Sequence, residues 1–316
     1  MSLSVVIPAY NQRDALVACL DALSAETTDC EIIVINGPST DGTSGMVQER
    51  TDVSVLIECS SRNVNIARNE GIRAATGDIL VLLSPVAQVQ PTWQEAIYSS
   101  IDRGADAVSG PTEPNQRTAP SIERIDQEDE SAPINGDNLA LTRGAITALD
   151  GFDEYLVVNG INDARNRLRS MGLQVMWHPE MSVRVAVDNA DVTPRTNRLE
   201  PGHWVDEDDI DWGRVYRSRA YLMVKHSGLG VHSVGRILYH AGSDGIQSTV
   251  AVAKGNRRPS SWAGIGVDVA KNVFEGIREG RKARDADHTL ARNPYGLSCG
   301  RSDSVVATIH DWRESE

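Results

Sequence analysis

The sequence predicts an α/β fold, a mainly parallel sheet flanked by helices, followed by a mostly helical C-terminal extension. Two observations carry this. Short, β-branched apolar runs at residues 5–7, 32–35, 53–57 and 79–83 are too brief for helices and read as strands buried in a parallel sheet. Between them lie segments with apolar residues at three- and four-residue spacing, and such strand–helix alternation builds a doubly wound sheet.

Taken in order, Ser4-Val5-Val6-Ile7 is the first strand, ended by Pro8-Ala9-Tyr10-Asn11. Asn11 is a cap candidate for a helix carrying Ala15, Leu16, Cys19, Leu20 and Leu23 on one face. The second strand runs through Ile32-Ile33-Val34-Ile35 and stops at Asn36-Gly37-Pro38-Ser39-Thr40-Asp41-Gly42, a cluster of turn and cap residues. Ligands of open parallel sheets bind at the carboxyl ends of the strands, so this loop marks a candidate nucleotide site, against the plain alternative of an ordinary strand–helix turn. A short helix follows at 44–50, then a strand at 53–57 and a helix at 65–75 stopped by Gly77. The run 79–83 is apolar on both faces and belongs at the centre. A helix from Pro91 and a strand at 105–108 complete the first part.

Residues 113–133 form a polar connector in which Glu123, Asp126, Glu128, Asp129 and Glu130 face a single Arg124, either a solvated loop or a flap on the acceptor side. A strand at 138–143, a turn at 151–155, a helix at 161–171 and strands at 174–177 and 182–185 close the sheet. A second linker spans 188–211, and helices are expected at 212–225 and 265–284. The expected division is a catalytic domain over 1–195 and an extension over 196–316.

Bulk properties narrow the class. The chain has 316 residues and a net charge of −13, which disfavours a nucleic-acid backbone as partner. Lysine occurs only at 225, 254, 271 and 282, and there are just 2 phenylalanines, a composition suited to high salt. The four cysteines show no metal-ligand spacing, and no apolar run approaches the roughly 20 residues of a membrane span. These features point to a reduced compartment and a soluble body.

Laid end to end, the pieces resemble a family 2 glycosyltransferase of the GT-A fold, the Rossmann-like fold of nucleotide-diphospho-sugar transferases. The residues that carry the resemblance are Val5-Val6-Ile7-Pro8-Ala9-Tyr10-Asn11, Glu31-Ile32-Ile33-Val34 with Ser39-Thr40-Asp41-Gly42-Thr43, Ala67-Arg68-Asn69-Glu70-Gly71, Gly77-Asp78-Ile79-Leu80-Val81-Leu82-Leu83 and Gly151-Phe152-Asp153-Glu154. The resemblance continues through Arg167-Leu168-Arg169 and Tyr216-Arg217-Ser218-Arg219-Ala220. It implies sugar transfer, with inversion, from a nucleotide-sugar donor to an acceptor, with a polyprenyl- or dolichol-phosphate-linked glycan of surface or N-linked glycan assembly as the expected acceptor. Together with the lysine-poor composition it suggests a haloarchaeal member. Pro8, Tyr10, Asn11, Asn36, Asp41, Arg68 and Ser84 are the implied donor-binding residues. Asn36 stands where the family has Asp, so a carboxylate contact to the ribose diol becomes a neutral one.

Two departures stand out. The Asp-x-Asp position that holds Mg²⁺ or Mn²⁺ in the family reads Ser84-Pro85-Val86, a poor ligand set, so no metal ligand is assigned. Arg143, Arg165, Arg167 and Arg184 are candidates to carry the leaving pyrophosphate's charge instead, or else to make structural pairs. The base motif at the helix start reads Gly160-Ile161-Asn162-Asp163, leaving Asp163 as the candidate base or a helix-dipole partner, with Asp153 or Glu154 as stand-ins. The competing reading is a degenerate member that binds a nucleotide-sugar or a partner transferase without turnover.

In the C-terminal part, Trp262, Ile265, Val269, Val273, Phe274 and Ile277 offer an apolar face, followed by Arg278, Arg281, Lys282 and Arg284. Residues 262–285 are therefore expected either to rest on an anionic membrane surface or to pack on the catalytic body. The first option places the protein peripherally on the cytoplasmic face of the membrane.

Overall fold

A computed structural model of the chain describes residues 1–113, 134–185, 212–228, 259–286, 293–299 and 305–313. The acidic connector with Arg124, the linker at 188–211 and the expected boundary at 195 lie outside them.

The centre is an eight-stranded sheet in the order β11-β3-β2-β1-β4-β8-β6-β9. Its core strands are β1 (Leu3–Ala9), β2 (Cys30–Asn36), β3 (Val55–Cys59) and β4 (Ile79–Leu83), all parallel. β-Branched runs suit this position because a central strand presents both faces to packed helices. Successive side chains of β1 accordingly serve two cores. Val5 and Ile7 pack with Leu16, Leu20 and Leu23 of α1 (Arg13–Glu26), whereas Val6 packs with Ile33, Ile35 and Ile72 of α3 (Val64–Ala74). Burial this complete supplies the main stabilisation, since each fully buried Leu, Ile or Val contributes about 1.5–3 kcal/mol.

Beyond β4 the sheet departs from a uniform parallel order. Strand β8 (Asn138–Thr142) runs antiparallel between β4 and β6 (Ala107–Ser109), and β9 (Val175–Trp177) lies parallel to β6 at the edge. The segment at 182–185 does not close this sheet as expected. It forms β10 (Val183–Val185) in a separate three-stranded sheet with β5 (Ala87–Val89) and β7 (Thr112–Glu113). The remaining helices are α2 (Thr43–Gln48), α4 (Trp93–Asp102), α5 (Arg143–Leu149), α6 (Gly160–Ser170), α7 (Trp212–Ser227) and α8 (Pro259–Ala286).

The C-terminal part also holds a strand that the helical reading did not foresee. β11 (Val306–Asp311) pairs antiparallel with β3, so the end of the chain caps the sheet edge. Only Val306 and His310 are half-buried and the other residues are exposed, which fits an edge and leaves no apolar pattern to stand out from the sequence.

Candidate functional site

The register brings the carboxyl ends of three strands to one rim. Ala9 pairs with Asn36, and Val6 pairs with Leu82, which places Pro8 level with the turn after Leu83. At this rim an open cleft of about 260 Å³ is lined by Pro8, Val64, Arg68, Leu82, Leu83, Ser84, Pro85, Gly136 and Asp137. Arg68 enters from α3 almost fully buried, donates to Asn65 Oδ1 at 3.0 Å and lies 5.2 Å from the Phe152 ring centre. Gly71 lets α3 approach this closely, because a Cβ there would stand 2.3 Å from Val6 Cγ1.

The loops after β1 and β2 are interlocked. Asn11, at φ +50°, does not cap α1: its Oδ1 accepts from Thr40 N at 2.8 Å while its own N donates to Ser39 Oγ at 2.9 Å. Asp41 supplies the capping function across the gap, accepting from Arg13 N at 2.9 Å and from Thr43 N at 3.1 Å. Burial alone would raise the Asp41 pKa, but the hydrogen bonds from Thr43 and the Arg13 amide outweigh it and hold the carboxyl below its ordinary value. Tyr10 is buried beneath the Arg62 guanidinium, which lies 5.0 Å from its ring centre.

Asn36 is on the rim, but its side chain is largely engaged. Its amide donates to Ser44 Oγ at 2.8 Å and Glu58 Oε2 at 3.1 Å, and its Oδ1 accepts from Ser39 Oγ at 2.7 Å. Glu58 Oε1, at the end of β3, is buried with no hydrogen-bond partner. A carboxylate missing from β2 is thus present one strand over, a substitution that sequence reasoning missed because it needs the Asn36–Glu58 register.

At the end of β4, Ser84 N donates to Asp137 O at 3.0 Å, and the Asp137 residue lines the same cleft as Pro8. Asp137 also escaped the sequence reading. Only the antiparallel return of β8 brings it beside Ser84, and nothing local announces that pairing. One hydroxyl and one carboxylate do not make the six-oxygen set that Mg²⁺ or Mn²⁺ takes, and no group of three acidic, His or Cys side chains among the described residues could hold such an ion.

The two carboxylates expected to act as base are placed differently from a base open to an acceptor. Asp153 and Asp163 are both fully buried. Asp153 Oδ2 accepts from Tyr221 Oη at 2.7 Å and Lys225 Nζ at 2.6 Å. Asp163 meets Arg167 Nε at 2.8 Å, Lys225 Nζ at 3.0 Å and His226 Nε2 at 2.7 Å. Burial opposes the charge on Asp163, but Arg167, Lys225 and His226 overcome it and hold the carboxyl far below its ordinary value. Asp163 cannot collect a proton without first losing an ion pair. The stand-in Glu154 accepts from Asn69 Nδ2 at 2.8 Å, and its pKa is raised, chiefly by burial.

The candidate arginines divide. Arg167 is spent in this buried network and on the carbonyls of Leu149 and Gly151. Arg143 donates to the carbonyls of Gly77 and Ala75, at the opposite end of β4 from the cleft. Arg184 is exposed on β10, and Arg165 Nε is buried without a partner.

Comparison with known proteins gives this geometry a family. Residues 4–151 match the description "Glycosyl transferase family 2". This part, just under half of the chain, carries the family 2 match. Among curated relatives, glycosyltransferase AglE of Haloferax volcanii is 33% identical over 134 residues, covering 39% of this chain and 43% of that protein. A dolichol-phosphate mannosyltransferase of Pyrococcus furiosus is 27% identical over 115 residues, covering 35% of this chain and 33% of that one. The chain therefore spans less than half the length of these family 2 relatives. Among solved structures, mannosyltransferase PcManGT of Pyrobaculum calidifontis, in complex with GDP-Man and Mn²⁺, superposes with a TM-score of 0.52 at 19% identity, over 92% of this chain and 85% of that one. S. aureus TarS 1-349 gives 0.55 at 13% identity, over 90% and 83%. Likeness at this level establishes the GT-A fold around the family 2 match.

Proposed function

We propose that this protein is an inverting glycosyltransferase that moves a sugar from a nucleotide-sugar donor to an acceptor hydroxyl. The observation that carries the reading is the cleft where Pro8, Arg68, Leu83 and Ser84 meet at the carboxyl ends of β1 and β4. In this reading the base lies against Pro8 and Tyr10 with Arg68 at its edge, and the ribose meets Asn36 and the buried Glu58 carboxylate. Asn11 and Asp41 hold the two loops in place. Ser84 faces the reacting end of the donor. Asp137 is the carboxylate best situated to take the acceptor proton, while Asp153 and Asp163 position the surrounding frame. Arg165 and Arg184 remain as candidates for the charge of the departing nucleotide.

The acceptor in this reading is a lipid-phosphate-linked glycan of surface or N-linked glycan assembly, supported by the name of the Pyrococcus relative. Residues 1–195 form the catalytic part, residues 196–316 the extension, and the protein works peripherally on the cytoplasmic face of the membrane. Among the described residues no helix is long and apolar enough to cross a membrane.

The second reading, a nucleotide-sugar binder without turnover, draws on the sequestration of Asp153 and Asp163. Calorimetry with UDP- and GDP-sugars, with and without Mn²⁺, followed by transfer assays on lipid-linked acceptors, separates the two. Binding with transfer supports the enzyme, and binding without transfer on any acceptor supports the binder. Absence of binding to every nucleotide-sugar overturns both.

A further inference from the structure

Of the two options for helix α8, resting on a membrane or packing on the body, the structure shows packing for one side, while Phe274 stays outward. Gly276 and Gly280 lie against α7 so closely that a Cβ would stand 2.3 Å from the Arg217 carbonyl oxygen and 2.8 Å from that of Tyr221. Val269 and Val273 share this side and are half-buried, and Ala283 is buried. At about 100° per residue, the opposite side collects Lys271, Phe274, Arg278, Arg281 and Lys282 within a stripe of roughly 100°.

Every member of that stripe is exposed. Phe274 is 71% exposed, and the side chains of Arg278 and Lys282 are 60% and 63% exposed although both pair with Glu279. Of the neighbouring acids, Glu279 accepts from Arg278 and Lys282, and Glu275 stands 4.0 Å from Arg217. Asp285 lies at the stripe's C-terminal end. An exposed aromatic ringed by four cations, in a chain of net charge −13, runs against both the hydrophobic effect and the protein's overall electrostatics.

We propose that this outward face of α8 docks on an anionic phospholipid bilayer, with Phe274 entering the headgroup–acyl boundary and Lys271, Arg278, Arg281 and Lys282 lying among the lipid phosphates. Charge complementarity selects the partner, and an exposed ring set among cations on a helix face suits a bilayer surface. The inference deepens the membrane-face part of the functional reading and rests on it, but it does not require glycosyl transfer.

Co-sedimentation of the whole protein with phosphatidylglycerol–phosphatidylcholine vesicles tests it, with no donor or acceptor present, so that failure here leaves the transfer reading standing. The protein should sediment with mixed vesicles and stay in solution with phosphatidylcholine alone. Lys271→Gln with Arg281→Gln should weaken binding about 25-fold, about fivefold per charge. Phe274→Ser should weaken it about tenfold. All three sites are exposed, so circular dichroism and the melting temperature should not change. No sedimentation of the wild type with mixed vesicles, equal sedimentation with phosphatidylcholine, full binding by the folded variants, or retention on heparin without vesicle binding would each overturn the proposal.

Discussion

Lys225 of α7 sets its ammonium 2.6 Å from Asp153 Oδ2, with 5% and 0% of the two side chains exposed. The contact joins residues 72 positions apart and fastens α7 to the loop between α5 and α6. The same ammonium reaches Asp163 at 3.0 Å, so one lysine balances two buried carboxylates. Lys225→Met keeps the volume and removes the charge. Because it leaves the Asp153 carboxylate buried without its counter-ion, while Asp163 keeps Arg167 and His226, it should destabilise the fold by about 3–5 kcal/mol, measured by denaturant unfolding. An effect below about 1 kcal/mol would show that water reaches the site and that the pair contributes little.

The same network predicts a sensitivity to acid. Burial opposes ionisation of Asp163, yet Arg167, Lys225 and His226 bring its folded pKa well below the ordinary 3.8. A depressed folded value means that the stabilisation is complete above the unfolded value and lost as pH falls. Stability should therefore hold down to about pH 5 and decline through pH 4 and below. In Asp163→Asn the decline over that window should be shallower, a comparison that urea titrations at several pH values can make.

How much of this was legible beforehand depended on sequence distance. Strands β1 to β4 announced themselves because each is a continuous apolar run buried on both faces. Their carboxyl ends, and so Pro8 and Ser84, could be placed on a rim before any coordinates, whereas Arg68, within α3, came only from the family resemblance. Strand β11 could not, since a mostly exposed edge strand carries no apolar pattern and gains its meaning only from β3. Asp137 and Glu58 were hidden for the same reason, as each becomes part of the rim only through a partner strand. Asp163 was legible as a conspicuous carboxylate at a helix start. Its burial against Lys225 and His226 was not, because those residues follow more than 60 positions later.

The Asn36–Glu58 pair makes a prediction about donor binding. Glu58 Oε1 is buried without a partner, and a donor hydroxyl or base N–H would satisfy it. Glu58→Gln should weaken nucleotide-sugar binding tenfold or more while leaving the fold nearly as stable, because a charged acceptor is lost where a ligand donor should arrive. Asn36→Asp should weaken both stability and binding, since it sets a second carboxylate about 3.1 Å from Glu58 Oε2 and removes the amide that bridges them. Calorimetric titration of the two variants decides it, and an unchanged Glu58→Gln affinity would remove Glu58 from the donor site.

Ser84 and Asp137 face the same cleft and should fail differently. Ser84→Trp sets a bulky ring among the residues that line the cleft, so it should abolish donor binding itself. Asp137→Asn keeps the volume and shape, so donor affinity should stay within about twofold if its carboxylate serves only the acceptor. Removing a general base typically lowers the chemical step by about 10²–10⁴, so kcat should fall by that order with KM for the donor little changed. The acid limb of the kcat profile should also flatten, because the group whose deprotonation produces it is gone. A structural role for Asp137 would instead lower the melting temperature and weaken donor binding together. A variant that keeps wild-type kcat and its full pH profile would return the search for the proton acceptor to Glu154.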